Sequence, residues 1–180
     1  MKVVCYGDSN TYGYDPRSFF GESYSPENRW VDILSEKKGW KVINDGMNGR
    51  EIPIRSVAFP PDTDLLIVML GTNDLLQFWS PEAACQKMEQ FLLSLALERD
   101  RLLLIAPPPM KFGEWVQDQE LIDDCIALTK HYQALAARLG IRFVDAGVWN
   151  APLAYDGVHL TEEGHRAFAE GLFNYLIKGE

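Results

Sequence analysis

Short apolar runs alternate with amphipathic segments along the whole chain, and this alternation limits the possible folds more than any other feature of the sequence. Val3–Tyr6, Lys41–Asn44, Leu65–Leu70, Leu102–Ala106 and Arg142–Val144 have the length and character of strands. Helix-like stretches separate them. The pattern predicts βαβ units in an α/β fold, with a parallel sheet of about five strands covered by helices on both faces.

The helical stretches carry their own boundaries. Pro81–Leu97 places Ala84, Met88, Phe91, Leu92 and Leu95 on one face, with Ser80 as N-cap and Pro81 at the first helical position. Glu120–Leu139 sets Ile122, Ile126, Thr129, Leu135 and Leu139 near one stripe and ends at Gly140, a residue suited to a left-handed cap. A third helix is expected to open at Thr161, where a capping hydroxyl precedes Glu162 and Glu163 in the first turn. Gly7–Asn28 and Pro107–Trp115 fit no regular element. Both follow strands, and loops at the carboxyl ends of parallel strands build ligand crevices.

The length of 180 residues suits one domain over residues 1–180, and 47% apolar with 24% charged residues is ordinary globular composition. A formal net charge of −9 argues against nucleic acid as a partner, because such binding draws on clustered Lys and Arg. The apolar run after Lys2 meets Gly7-Asp8 too soon to serve as the core of a secretion signal, and no stretch reads as a membrane span. Cys5, Cys85 and Cys125 are odd in number and lack metal-ligand spacing, so reduced thiols and a cytoplasmic location are expected.

Four blocks carry residue types suited to chemistry, each just after a predicted strand or before the last helix. Gly7-Asp8-Ser9-Asn10 puts a serine at the end of the first strand, where it could act as a nucleophile, though these residue types also make plain turns. In Asn44-Asp45-Gly46-Met47-Asn48-Gly49-Arg50, Gly46 could present a backbone N–H to a ligand oxygen, or belong to a simple glycine-rich turn. Gly71-Thr72-Asn73-Asp74 offers the Asn73 amide as a donor to developing negative charge, or as the centre of an Asx-turn, with Asp74 bracing the loop. In Asp156-Gly157-Val158-His159, an imidazole could serve as base, and a carboxylate three residues away could fix its tautomer. His131 and His165 lie within predicted helices and read as helix-surface or partly buried residues.

Taken together, these blocks resemble the SGNH or GDSL hydrolases, named for Ser, Gly, Asn and His in separate blocks. The resemblance implies a flavodoxin-like three-layer fold, Ser9 as nucleophile, His159 as base and Asp156 as its orienting acid. It further implies an oxyanion hole formed by the Ser9 N–H, the Gly46 N–H and the Asn73 side chain. Asn10 departs from the better known signature, which has Leu after the serine; the position is not catalytic in that pattern, so the difference is expected to touch subgroup and pocket shape rather than activity. Gly7–Tyr14 followed by Asn28-Arg29-Trp30 is similar to the intracellular arylesterase and acyltransferase branch, some of whose members form oligomers, so homo-oligomerisation is one expectation.

The implied reaction is hydrolysis of small carboxylic esters through an acyl-enzyme, with no metal or organic cofactor. A carbohydrate O-deacetylase, a lysophospholipase or a thioesterase would use the same residues, and a flavodoxin-like binding module without activity is the contrasting expectation. No Gly-x-Ser-x-Gly elbow is present to support the larger α/β-hydrolase family. The loops are aromatic, with Tyr12, Tyr14, Phe19, Phe20, Phe78, Trp79, Phe112 and Trp115; if several face the site they would favour a short acyl chain or an aryl or sugar group over a lipid tail, and they could equally belong to the core or form a subunit contact.

Overall fold

The apolar runs form one all-parallel sheet: β1 (Lys2–Gly7), β2 (Lys41–Gly46), β3 (Leu65–Met69), β4 (Leu102–Ala106) and β5 (Arg142–Asp145), in the order β2-β1-β3-β4-β5. The structure, a computed structural model, describes residues 1–178. Six α-helices accompany the sheet: α1 (Ser9–Tyr12), α2 (Trp30–Lys38), α3 (Thr72–Leu76), α4 (Pro81–Ser94), α5 (Gln119–Leu139) and α6 (Glu162–Lys178).

Side chains alternate across each strand, so the sheet feeds two cores. Val3 and Cys5 point to the layer containing Trp30 and Leu34 of α2 and Phe168 and Leu172 of α6. Val4 and Tyr6 point to the opposite layer, with Met88 and Phe91 of α4 and Leu128 and Tyr132 of α5. All ten residues of β3 and β4 are buried, as a strand covered on both faces requires. Full burial of a large apolar side chain contributes about 1.5–3 kcal/mol, so the central strands anchor the three layers.

The predicted caps form. Ser80 Oγ accepts from the Ala83 N–H at 3.2 Å, Thr161 Oγ1 accepts from the Gly164 N–H at 3.0 Å, and Gly140 closes α5 with φ 68°. Several expectations need correction. Helix α4 stops at Ser94 rather than Leu97, because Leu95 turns extended. The buried stripe of α5 is Cys125, Leu128, Tyr132, Leu135 and Ala136, leaving Ile126 46% exposed. Tyr132 holds that face inward: its ring is fully buried and its hydroxyl donates to the Leu70 carbonyl at 3.1 Å.

Helix α2 lies outside the sequence expectations. Arg29 at its N-cap makes no side-chain cap, and only Trp30, Val31 and Leu34 are buried, so its periodicity is short and weak. The Gly7–Asn28 stretch contains α1, an antiparallel bridge between Tyr14 and Ser23 and a 3-10 turn at Pro26–Asn28. Among the described residues no helix is long and apolar enough to cross a membrane.

The strand order determines where a crevice opens. The chain leaves β1 for β2 on one side, then returns to β3 on the other, so the loops after these strands part at the carboxyl edge. Ser9 stands immediately beyond β1, at that switch point.

Candidate active site

Asp8 caps α1 by accepting from the Asn10 N–H at 2.9 Å, which makes Ser9 the first helical residue. First-turn N–H groups have no partner within their own helix, so the Ser9 N–H is left over. Burial pushes the Asp8 carboxyl up to about 6, against the pull of the Asn10 N–H and the His159 ring.

The turn before α6 brings two further groups to Ser9. His159 Nε2 lies 2.9 Å from Ser9 Oγ, and His159 Nδ1 lies 2.7 Å from Asp156 Oδ2. The other carboxylate oxygen, Oδ1, accepts from the N–H groups of Val158 at 2.9 Å and His159 at 3.0 Å. Burial opposes ionisation of Asp156, but these three donors outweigh it and hold the carboxyl below its ordinary value. An ionised Asp156 keeps the ring proton on Nδ1, leaving Nε2 to accept from the serine hydroxyl. All three residues are at least 94% buried, since Ser9, Asp156 and His159 are 6%, 1% and 3% exposed.

Asn73, on α3, directs Nδ2 to the Arg50 carbonyl oxygen at 3.1 Å. The Leu75 N–H, which an Asx-turn at Asn73 would engage, instead donates to the Gly71 carbonyl at 3.1 Å. Asp74 does brace the loop: its buried carboxylate accepts from the Ile52 N–H at 3.0 Å and from Lys87 Nζ. Gly46 sits differently from expectation. Its N–H donates to Asn44 Oδ1 at 3.0 Å, and a Cβ there would overlap the backbone of Thr11 and Tyr12. The glycine is needed for α1 to lie against β2, and its N–H is occupied.

Just beyond Gly46, the Arg50 N–H bonds the Met47 carbonyl at 3.2 Å, closing a turn with Gly49 at its third position. Gly49 has φ 72°, as a type II turn requires, and open space where a side chain would be. Such a turn does not use the N–H of its third residue. That group has no hydrogen-bond partner among the described residues and adjoins Arg50, whose carbonyl holds Asn73. Sequence reasoning passed over Gly49; the signal was a second glycine at a turn position, after an Asn44-Asp45-Gly46 run that is itself strand.

Two of the loop aromatics meet the imidazole. The Tyr14 ring lies 4.6 Å from that of His159, and Trp115 stands edge-on to it at 5.2 Å and 83°. The Pro107–Trp115 segment is fastened to the His159 loop by backbone bonds, Glu114 N–H to the Tyr155 carbonyl at 3.0 Å and Trp115 N–H to the Asp156 carbonyl at 3.1 Å. Phe78, Trp79 and Trp115 line a cleft of about 720 Å³ that also touches Leu75 of α3. Phe19 and Phe20 pack on each other instead, and both are exposed.

The remaining histidines differ from each other. His131 is partly exposed and pairs with Glu82, whereas His165 is fully buried, correcting the expected surface or partly buried position. Burial, with Arg29 and His159 nearby, pushes its pKa down to about 3. The cysteines are free thiols, and among the described residues no three His, Cys, Asp or Glu converge to hold a metal ion.

In this three-layer fold the switch point of the sheet presents a serine hydroxyl to a carboxylate-held imidazole, and the family match makes the chain a serine ester hydrolase. The model of the GDSL-like lipase/acylhydrolase family matches residues 5–167, and the chain belongs to that family. Among solved structures, a protein from Agrobacterium tumefaciens str. C58 assigned as an arylesterase is 30% identical, with 98% of each chain covered and a TM-score of 0.80. The M. smegmatis aryl esterase is similar in fold at 24% identity, 98% coverage of each chain and a TM-score of 0.81. A carbohydrate acetylesterase family member from Sinorhizobium meliloti is 25% identical over 98% of this chain and 97% of its own, with a TM-score of 0.81. No curated protein sequence matches the chain.

Proposed function

We propose that the chain hydrolyses small carboxylic esters, aryl and acetyl esters among them, with Ser9 as nucleophile, His159 as general base and Asp156 as the carboxylate that orients it. The observation that carries this reading is the unbroken hydrogen-bonded series Ser9 Oγ to His159 Nε2 at 2.9 Å and His159 Nδ1 to Asp156 Oδ2 at 2.7 Å. Ser9 Oγ attacks the ester carbonyl carbon as its proton passes to Nε2, and the same proton then goes to the departing alkoxide as the carbon–oxygen bond breaks. Water attacks the acyl-enzyme in the same way, giving its proton to Nε2, and the acid leaves as Ser9 Oγ is reprotonated.

Negative charge on the tetrahedral oxygen needs donors already in place. The Ser9 N–H and the second Asn73 amide hydrogen are two such donors. For the third we assign the Gly49 N–H in place of Gly46, because the Gly46 group already serves Asn44. The aromatic cleft beside Trp115 supports flat or compact groups, and its rings also suit a sugar face, so O-deacetylation of carbohydrates is the second reading.

Ser9→Ala tests the proposal. Turnover of p-nitrophenyl acetate and labelling by a fluorophosphonate should both vanish, while the melting temperature stays close to wild type. Turnover near the wild-type rate would overturn it. A panel of p-nitrophenyl esters of increasing chain length, run beside acetylated sugars, separates the two substrate readings.

A further inference from the structure

The residue after the nucleophile grips the loop that carries the base. Asn10 is 3% exposed, and its side-chain amide lies between the two neighbours of His159. Asn10 Nδ2 donates to the Val158 carbonyl at 3.0 Å, and Oδ1 accepts from the Leu160 N–H at 2.8 Å. A carbonyl on one side and an N–H on the other leave only one orientation for the amide. Its main chain is fixed as well: the N–H donates to Asp8 Oδ1 at 2.9 Å, and the carbonyl accepts from Trp30 Nε1 at 2.9 Å.

We propose that Asn10 is a positioning residue, a two-point clamp that holds the His159 loop against α1 independently of the hydrogen bond between Ser9 and His159. The inference rests on the Ser9–His159–Asp156 reading above. In the free enzyme two ties join these parts of the chain, the Ser9 Oγ–His159 Nε2 bond and the Asn10 clamp. Once Ser9 is acylated its oxygen carries no proton, so the first tie is gone while the imidazole must still accept a proton from water. The clamp survives acylation. It therefore matters most for deacylation, the step in which nothing else on α1 holds the base. A displacement of about 1 Å in a reacting pair can cost about 10²-fold in rate.

Leucine keeps the branched heavy-atom pattern of asparagine, is somewhat bulkier and makes neither bond, so Asn10→Leu is the informative variant. Asn10→Ser, which brings no apolar atoms against the exposed backbone groups, is measured beside it in case Asn10→Leu folds poorly. Stopped-flow hydrolysis of p-nitrophenyl acetate resolves the burst from the steady state, giving separate acylation and deacylation constants. The deacylation constant should fall about 10–10²-fold, and the acylation constant by clearly less. Leu34→Ala, a core variant in α2 adjusted by temperature to the same fraction folded, reports what general destabilisation does. The clamp is overturned if deacylation stays within about twofold of wild type, or if both constants fall by the common factor seen in Leu34→Ala. Ser9→Ala separates the two levels. An active Ser9→Ala removes the triad reading and this inference together; an inactive Ser9→Ala with an unaffected Asn10→Leu removes the clamp alone.

Discussion

Asn73 spends one of its two amide hydrogens on the Arg50 carbonyl, 3.1 Å away, which leaves the other available to a ligand. If that second hydrogen stabilises the oxyanion, Asn73→Ala should lower kcat by about 10²–10³ with little change in KM, the usual consequence of deleting one such donor. Asn73→Asp should be worse. It removes both donors, sets a carboxylate against the Arg50 carbonyl and places like charge beside the developing oxyanion. Steady-state kinetics at neutral pH distinguish the two variants, and an Asp variant more active than the Ala variant would count against the role.

The two glycines of the second block should respond in opposite ways. Gly46→Ala drives a methyl into the backbone of Thr11 and Tyr12, so the melting temperature should fall sharply and activity with it. Gly49→Ala meets no atoms and keeps its N–H. Its cost is the left-handed backbone, about 1–2 kcal/mol, and kcat measured on the folded protein should stay near wild type. Equal melting temperatures for the two variants would refute the division of labour.

Stability should decline in acid largely through His165. Its pKa of about 3 in the folded chain lies below the ordinary imidazole value, because burial disfavours the charged ring. Between about pH 6.5 and that folded value, the unfolded chain binds a proton that the folded chain refuses. The stabilisation is therefore complete above the ordinary value and lost as pH falls through the window. Asp8 works the other way: with a pKa of about 6 when folded and 3.8 ordinarily, it holds an extra proton in the fold, and its contribution is lost as pH rises through about 6. The His165 window is the wider. His165→Gln should flatten the acid fall of the melting temperature, and Asp8→Asn should steepen it. Calorimetry from about pH 4 to 7 tests both, and an unchanged slope in His165→Gln would show the burial argument to be wrong.

The cleft beside Trp115 should reject anions. Glu82, Glu114, Asp118, Glu120 and Asp124 line it with no Lys or Arg among the lining residues, and the Asp124 carboxyl is raised by burial and by the nearby Glu120, Glu82 and Asp123. Esters carrying a carboxylate should react about tenfold more slowly at low salt than neutral esters of similar size. The gap should narrow as the Debye length shrinks from about 30 Å at 0.01 M salt to about 10 Å at 0.1 M. Glu114→Gln with Glu120→Gln should narrow it too. A ratio indifferent to salt and to these changes would show that substrates do not pass this wall.

Much of the architecture was legible because burial on both faces leaves uninterrupted apolar runs, and Leu102–Ala106 matches its strand residue for residue. Ser9, Asp156 and His159 stood out as candidates because each lies just past a strand or just before the last helix, places that a parallel sheet gathers at one edge, and the family resemblance supplied their roles. The errors arose where local pattern and packing disagree. In sequence Gly46 reads as an N–H donor to a ligand oxygen or as part of a glycine-rich turn, yet β2 runs on through it, and only the approach of α1 explains why it must be glycine. Ile126 fitted a helical stripe by hydrophobicity alone, while the true face turns on Tyr132, whose hydroxyl made it look less apolar than its buried ring. Asn10 could not be valued from the sequence, because its bonds reach 148 and 150 residues away.

That same separation imposes an order on how the protein comes into being. Synthesis delivers Ser9 well before His159, which follows 150 positions later, so the proposed nucleophile waits for its proposed base. While the chain is still growing, Ser9 is an ordinary alcohol, inert towards any ester it meets. On the proposed triad, reactivity arises only when the Asp156–His159 turn docks against α1, so catalytic competence would report that this long-range docking has taken place. An assay begun during refolding should therefore show product appearing no earlier than the slowest folding phase detected by tryptophan fluorescence.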